Sequence, residues 1–90
     1  MEFELDPAKA AINLKKHKVS FEEAASVFGD SMALTFPDPD HSFGEERWLV
    51  FGMSRHDRML AVVYTQRQDK FRLITARIAT KRERKIYEEG

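Results

Sequence analysis

Residues 71–87 of the chain read FRLITARIATKRERKIY and combine a strand pattern with a helix pattern. Side chains 71–76 alternate between two faces, as they do in a β-strand. Thr80 is followed three residues later by Glu83, and this capping box predicts the start of a helix. Arg77 therefore lies where a strand ends and a basic helix begins, which is a favourable position for binding an anion.

A first helix is predicted close to the N-terminus. Asp6 and Pro7 supply its N-cap and its first-turn proline. Small and apolar side chains at Ala8, Ala11 and Ile12 are expected to form its packed face, and the helix should end near residue 17 or 18.

A second helix follows directly. Ser20 and Glu23 form another capping box, and apolar side chains follow at helical spacing from Phe21 onward. Gly29 is expected to end this helix in the left-handed conformation, which glycine adopts without steric cost.

Strand patterns account for most of the remaining chain. Alternating or continuously apolar segments occur at residues 2–5, 32–36, 48–53, 59–65 and 71–76. The element order is a short strand, two helices, a meander of about four strands and a C-terminal helix. This order predicts one α+β domain over residues 1–90, with helices packed on one face of an antiparallel sheet of four or five strands.

Charge is distributed unevenly along the chain. Fifteen lysine and arginine residues balance fifteen aspartate and glutamate residues, so the formal net charge is zero. Residues 22–46 carry seven acids and no lysine or arginine, whereas residues 66–90 carry eight basic and four acidic residues. This polarity would separate a phosphate-facing side from a side that meets a basic partner. Two ordinary solvated faces would produce the same distribution.

Several kinds of site are missing from the sequence. There is no cysteine, and His17, His41 and His56 lie in three separate segments without the spacing of a metal site. No glycine-rich phosphate loop and no Gly-x-Ser-x-Gly motif is present. We therefore expect neither a metal nor a cofactor.

Targeting patterns are missing as well. The N-terminus lacks the order of a signal peptide, and the apolar runs are too short to cross a bilayer. Together with the lack of cysteine, these features predict a soluble protein of the reducing cytoplasm.

Basic and hydrogen-bonding side chains remain as candidates for chemistry. They lie at predicted strand ends and on the final helix: Arg47, Arg67, Arg77, Arg84 and Tyr87. Guanidinium groups match phosphate oxygens in a bidentate manner and stay charged at any working pH, so this set could bind RNA. Each arginine could equally be a surface residue or a member of a salt bridge. Trp48 and Phe71, in apolar strands, are expected in the core.

Four segments, spread along the chain from residue 6 to residue 89, read in order DPAKAAINLKKHKVSFEEAASVF, GEERWLVFGMS, LAVVYTQR and RLITARIATKRERKIYEE. In combination these segments resemble the BrnT family of bacterial toxins. The resemblance implies a RelE-like fold and a ribonuclease that acts on RNA without metal, lowers translation and inhibits growth. It also implies a BrnA-like antitoxin with a ribbon-helix-helix part, through which both proteins bind operator DNA and repress their own operon.

The family pattern also implies which residues form the site. The expected catalytic residues are His17, Glu46, Arg67, Arg77 and Tyr87, and the expected RNA-binding residues are Lys16, Arg47 and Arg84. The chain departs from the family pattern at Lys18 and Asp57, where glycine is usual. These two departures concern turn geometry more than chemistry.

If this activity holds, we hypothesise that the ribose 2′-hydroxyl attacks the adjacent phosphate. Glu46 or His17 would accept its proton, because a carboxylate or a neutral imidazole can do so near neutral pH. Arg67 and Arg77 would neutralise the phosphorane, and Tyr87 or a lysine would assist the leaving 5′-oxygen. The structural alternatives are a helix-terminus role for His17 and cross-strand pairing with an arginine for Glu46.

Two other functions fit the same residues. One is a non-catalytic module whose basic helix binds RNA or an acidic protein, and RNA binding without cleavage would identify it. The other is an inactive toxin homologue that serves only in assembly with the antitoxin. Antitoxin binding without any effect on growth would indicate that function.

Overall fold

The computed structural model describes residues 2–38 and 44–90. His41 and part of the predicted acidic loop lie outside the described residues. The elements in chain order are β1 (Glu2–Glu4), α1 (Pro7–His17), α2 (Phe21–Ser26), a 3-10 turn (Val27–Gly29), β2 (Leu34–Pro37), β3 (Trp48–Met53), β4 (Met59–Arg67), β5 (Lys70–Ile78) and α3 (Lys81–Glu89). The predicted elements are all present, and the capping box of Thr80 and Glu83 has both of its hydrogen bonds.

The five strands form one sheet in the order β1-β5-β4-β3-β2. β2 to β5 pair in antiparallel fashion, whereas β1 lies parallel to β5. The predicted α+β class is confirmed, but the sheet is mixed and not wholly antiparallel. The parallel pair arises because α1 and α2 carry the chain away from β1, and the meander that follows ends beside it.

One face of the sheet packs against the first two helices. Its buried residues are Val19, Phe21, Ala24, Val27, Val50, Leu60, Val62, Tyr64, Leu73 and Ala76. Phe28 extends this core, with its ring centroid 5.2 Å from that of Phe3 and 5.4 Å from that of Phe71. Trp48 and Phe71 both pack against the core, which confirms the prediction that they are structural.

The end of α2 differs from the prediction, because Gly29 does not have a positive φ. A 3-10 turn follows the helix, with the Asp30 N–H donating to the Val27 carbonyl at 3.0 Å. The Asp30 carboxylate then accepts from the backbone N–H of Met32 at 2.9 Å and of Met53 at 2.8 Å. Asp30, and not a glycine turn, redirects the chain into β2.

The packed side of α1 also differs from the apolar stripe predicted for it. Ala8 and Ala11 are exposed, and Ile12 is 65% exposed, whereas Ala10 packs against the core and Asn13 is buried. A buried polar side chain gives no signal in a pattern of apolar residues, so the periodicity pointed to the wrong side.

Asn13 closes the part of the β5 edge that β1 leaves open. β1 pairs with β5 only as far as Arg72, and α1 packs against the strand beyond it. The Asn13 side-chain amide donates to the carbonyls of Val19 and Ala76 at 2.9 Å each, and its oxygen accepts from the Ala76 N–H at 3.0 Å. The amide therefore takes the place of a neighbouring strand.

Replacing Asn13 by leucine is expected to lower the free energy of unfolding by about 2 kcal/mol, because buried backbone groups of Ala76 and Val19 lose their partners. Urea denaturation measures this change. The control is Leu14→Asn at an exposed neighbouring position, with an expected change of about 0.5 kcal/mol. Equal costs for the two variants would show that the amide does not stabilise this edge.

Lys18 and Asp57 both have left-handed backbone conformations, with φ of 60° and 59°. Lys18 is the C-cap of α1 and donates its N–H to the Leu14 carbonyl at 2.9 Å. Asp57 lies in the turn between β3 and β4. These are the two positions where the resemblance implies glycine, so the turn geometry is retained although the side chain is unfavourable there.

Lys18→Gly is expected to raise the free energy of unfolding by about 0.5 to 1 kcal/mol, because it relieves the left-handed strain. Lys15→Gly, inside the same helix, should lower it by a similar amount. Chemical denaturation of both variants tests whether the free energy of unfolding rises in one variant and falls in the other. A loss of stability in both would contradict the strain at Lys18.

Candidate functional site

Arg77 joins the end of β5 to the first turn of α3. Its Nη1 and Nη2 donate to the two carboxylate oxygens of Glu83 at 2.7 and 2.9 Å. Glu83 also accepts from the Thr80 N–H at 2.8 Å. The hydrogen bond between them raises the pKa of Arg77 and lowers the pKa of Glu83. Arg77 therefore braces the fold, and any external anion would have to compete with Glu83 for it.

Tyr87 holds the other end of α3. Its hydroxyl donates to the Asp30 carboxylate at 2.7 Å, and this hydrogen bond raises the pKa of Tyr87. Burial raises the pKa of Asp30, but hydrogen bonds from Met53, Met32 and Tyr87 hold it below its usual value. A phenol in this arrangement is a poorer proton donor to a substrate than a free one.

A second group of the predicted residues gathers around Glu45. Its carboxylate lies 3.4 Å from Nε of Arg67 and 3.9 Å from Nη2 of Arg47. Glu46 is exposed, and its backbone carbonyl accepts from the Thr65 hydroxyl at 2.7 Å. The sequence suggested that Glu46 pairs with an arginine, but in the structure Glu45 forms these pairs.

The sheet register separates the two arginines that were expected to share a phosphate. Arg67 pairs with Lys70, whereas Arg77 pairs with Ala61 at the other end of the same strand. The six strand positions between Ala61 and Arg67 span about 20 Å. Because different carboxylates also hold the two guanidinium groups, the structure does not bring them together at one site.

Lys16 and His17 lie in an open groove between the end of α1 and the edge of β5. The groove has a volume of about 260 Å³ and is lined by Lys9, Ile12, Asn13, Lys16, His17, Ile74 and Thr75. Lys16 is exposed and His17 is half-buried, and neither has an ion-pair or hydrogen-bond partner within residues 2–38 and 44–90. An imidazole and two ammonium groups thus share one concave surface, which suits proton transfer beside a bound anion.

Arg84 lies on the outer side of α3, which we call the outer α3 face. It is lined by Lys81, Arg82, Arg84, Lys85 and Glu88. Arg84 and Tyr87 are three residues apart on α3, a spacing that allows two side chains to share one helical face. However, the Tyr87 hydroxyl binds Asp30, whereas Arg84 is exposed. The two side chains therefore serve different surfaces.

Sequence reasoning missed Glu23, whose pKa is the most strongly shifted of the described carboxylates. Glu23 is 3% exposed and accepts hydrogen bonds from Nε of Arg58 at 2.9 Å, from Nη2 of Arg58 and from the Ser54 hydroxyl at 2.7 Å. The bond from Arg58 is the main reason that the pKa of Glu23 falls from 4.5 to about 2. The Ser20 side chain accepts a hydrogen bond from the Glu23 N–H, as predicted, but the Glu23 carboxylate does not bind the Ser20 N–H. The predicted second capping box therefore has only one of its two hydrogen bonds.

Within residues 22–38 and 44–46 of the acidic segment, three of the acids are already bound by other side chains of the chain. Glu23, Asp30 and Glu45 are engaged by Arg58, Tyr87 and Arg67 respectively. Only part of the segment's negative charge is therefore available to a basic partner.

Residues 2–38 and 44–90 contain neither a cluster of metal-binding side chains nor a helix that could span a membrane. No group of three or more histidine, cysteine, aspartate or glutamate side chains there could hold a metal ion. None of the helices in those ranges is long and apolar enough to cross a membrane.

The fold is that of a small α+β protein with exposed basic side chains on α1 and α3. A family model described as the ribonuclease toxin, BrnT, of a type II toxin-antitoxin system matches residues 5–83. The chain belongs to this BrnT family of ribonuclease toxins, which confirms the resemblance noted in its sequence. Membership of a type II toxin-antitoxin family implies an antitoxin partner and an RNA target.

Comparison with solved structures supports the fold. The 1.1 Å crystal structure of the Brucella abortus ribonuclease toxin, BrnT, matches with a TM-score of 0.69 and 20% sequence identity. The match covers 90% of this chain and 99% of that chain. A search of curated proteins found no match.

Proposed function

We propose that this BrnT-family toxin is an endoribonuclease that cleaves RNA without a metal ion, and that the groove between α1 and β5 is its reaction site. One observation carries the proposal: His17 lies in that groove with Lys9 and Lys16. The other cationic candidates, Arg67 and Arg77, are already held by carboxylates.

The proposed reaction uses the nucleophile that RNA itself supplies. The 2′-hydroxyl attacks the adjacent phosphorus while His17 accepts the hydroxyl proton. The bond from phosphorus to the 5′-oxygen breaks, and that oxygen takes a proton from Lys16 or from water. Lys9 and Lys16 stabilise the charge that develops on the phosphorane. The products are a 2′,3′-cyclic phosphate and a 5′-hydroxyl.

Glu46 was the other candidate base. It lines a separate open site with Glu45, Trp48, Thr65, Gln66 and Gln68. That site lacks a lysine or arginine among its lining residues, and Glu45 already holds the neighbouring Arg67 and Arg47. The groove of His17 supplies both a base and cations, so we prefer it.

Arg77 and Tyr87 receive a bracing role in this proposal. Each holds α3 through a carboxylate, so their loss would weaken the support of α3 and would not remove the reacting groups. Arg47 and Arg67 are likewise assigned to the cluster around Glu45.

We also propose that the toxin acts in the cytoplasm, where a BrnA-like ribbon-helix-helix antitoxin neutralises it and the two proteins repress their operon. Membership of a type II toxin-antitoxin family supports an antitoxin partner. The resemblance to the BrnT family supports the ribbon-helix-helix type and the binding of operator DNA. Co-expression of the ribbon-helix-helix protein encoded next to the toxin should restore growth. The purified pair should retard operator DNA on a gel, whereas the toxin alone should not.

The activity is tested by incubating the purified protein with single-stranded RNA in EDTA. Cleavage under these conditions is expected. An absolute requirement for added Mg²⁺ would contradict the mechanism, and RNA binding without cleavage would point to the non-catalytic module.

A further inference from the structure

Four cations occupy the first two turns of α3. Lys81, Arg82, Arg84 and Lys85 are all exposed, and within the described parts of the chain none of them has an ion-pair or hydrogen-bond partner. Lys81, Arg84 and Lys85 follow the i, i+3, i+4 spacing of one helical stripe, so their charges add on one side.

The placement of these charges opposes helix stability. A helix is stabilised by acids in its first turn and by cations in its last turn, because its N-terminus carries a partial positive charge. In α3 the cations lie near the N-terminus, whereas Glu88 and Glu89 lie at the C-terminus and no basic residue occupies the last turn. Glu83, the one acid of the first turn, is already bound to Arg77. Local stability therefore does not explain the cations, and an external anion would.

The opposite side of α3 is fixed to the rest of the domain. The bidentate pair of Arg77 with Glu83 holds its start, and the hydrogen bond from Tyr87 to Asp30 holds its end. No residue of the helix is buried, so the outer α3 face is presented on a rigidly attached but fully accessible element.

The outer α3 face is also close to the proposed reaction groove. Thr75 lines the groove, and Lys81 begins the face only six residues later. Six residues span at most about 20 Å, and a single RNA strand of a few nucleotides covers that distance. Both surfaces are cationic and are connected by β5, because the groove is lined by Ile74 and Thr75 of this strand and α3 follows its last residue, Ile78.

We infer that the outer α3 face is an RNA-binding exosite that holds the phosphate backbone of the substrate strand beside the α1–β5 groove. The inference rests on the proposed ribonuclease function and names a second contact surface for the same substrate. The exosite supplies affinity without sequence recognition, because lysine and arginine meet phosphates and not base edges.

The test compares two triple variants that remove the same charge. One carries Lys81→Gln, Arg84→Gln and Lys85→Gln on the outer α3 face, and the matched control carries Lys15→Gln, Arg55→Gln and Lys70→Gln at exposed positions elsewhere. Glutamine is a good helix former, so α3 should remain folded, and circular dichroism checks this. The probes are a single-stranded oligonucleotide with 2′-O-methyl groups, which resists cleavage, and a dinucleotide substrate too short to reach α3.

The α3 variant should bind the 2′-O-methyl oligonucleotide about tenfold or more weakly at low salt, and the slope of log affinity against log salt should fall by about 2. Cleavage of the dinucleotide should be unchanged, and the control variant should bind the oligonucleotide like the wild type.

Equal losses in the two variants, or a loss of dinucleotide cleavage in a folded α3 variant, would overturn the inference. Unchanged RNA affinity with weakened binding of a polyglutamate peptide would assign the face to an acidic protein instead. A wild type that binds but never cleaves would refute the ribonuclease and leave the exosite standing.

Discussion

Glu23→Gln is expected to lower the free energy of unfolding by about 2 to 3 kcal/mol at neutral pH, because the variant loses the charge-assisted hydrogen bonds between a buried carboxylate and the half-exposed Arg58. Glu23 is 3% exposed, and its carboxylate is bound by two nitrogens of Arg58 and by the Ser54 hydroxyl. The amide leaves Arg58 without its counter-ion at the contact between α2 and the start of β4. Urea denaturation followed by circular dichroism measures the loss.

The same pair predicts how stability changes in acid. The pKa of Glu23 is about 2 in the folded protein, against 4.5 for an unperturbed glutamate. Because the folded pKa is the lower one, the stabilisation is complete above pH 4.5 and is lost as the pH falls from 4.5 toward 2. The loss over this window amounts to roughly 3 kcal/mol. The Glu23→Gln variant should lack this component of the pH dependence.

Glu22→Gln is the matched control for both experiments. Glu22 is the adjacent residue and is exposed, so its replacement should change stability by about 0.5 kcal/mol at most. If Glu23→Gln costs no more than Glu22→Gln, or if both variants retain the full acid dependence, the ion pair of Glu23 with Arg58 does not stabilise this fold.

His17→Ala is expected to reduce the rate of RNA cleavage by roughly a hundredfold to ten-thousandfold, the usual contribution of a general base. The expected loss is in kcat, because the variant keeps Lys9 and Lys16, the phosphate contacts that we propose for this groove. Thermal denaturation should differ little from the wild type, since His17 has no hydrogen-bond or ion-pair partner in the described chain. Single-turnover cleavage of a short RNA in EDTA measures the rate.

His56→Ala is the control for His17→Ala. His56 is an exposed histidine in the turn between β3 and β4, away from the groove, and its loss should leave cleavage unchanged. A full rate for His17→Ala would remove His17 from the mechanism. If His17→Ala cleaves RNA rapidly and Glu46→Gln cleaves it slowly, Glu46 is the general base.

Local patterns predicted the elements well because the signals lie within a few residues of each other. The capping box of Thr80 and Glu83 began α3 as expected. The same spacing at Ser20 and Glu23 predicted a capping box that does not form in full. The Glu23 carboxylate binds Arg58, which lies 35 residues further along the chain. A pattern confined to one helix contains no information about such a partner.

Asn13 shows the same limit within the fold. Its bonds to Ala76 join residues 63 positions apart, and the need for them arises only because β1 is too short to cover β5. The parallel pairing of β1 also depends on where the last strand of the meander ends. Neither feature has a local signature.

The sequence named two residues of the candidate groove but not Lys9, and it did not predict which candidates lie together. Lys16 and His17 were identified from the sequence, whereas their neighbours Ile74 and Thr75 come from a distant strand. Arg67 and Arg77 were expected at one phosphate. In the sheet, Arg67 lies at the end of β4, whereas Arg77 of β5 pairs with Ala61 near the start of β4. Which carboxylate holds an arginine is decided by tertiary packing, so free and bound cations could not be distinguished beforehand.

The central claim is that the groove of His17 uses the ribose 2′-hydroxyl as nucleophile, and the chemical ends of the products test it most directly. Wild-type protein in EDTA should cleave an RNA oligonucleotide to a 2′,3′-cyclic phosphate and a 5′-hydroxyl, identified by mass spectrometry. A single 2′-deoxy substitution at the cleaved nucleotide should abolish the reaction. Products with a 5′-phosphate, or continued cleavage at the 2′-deoxy position, would contradict it.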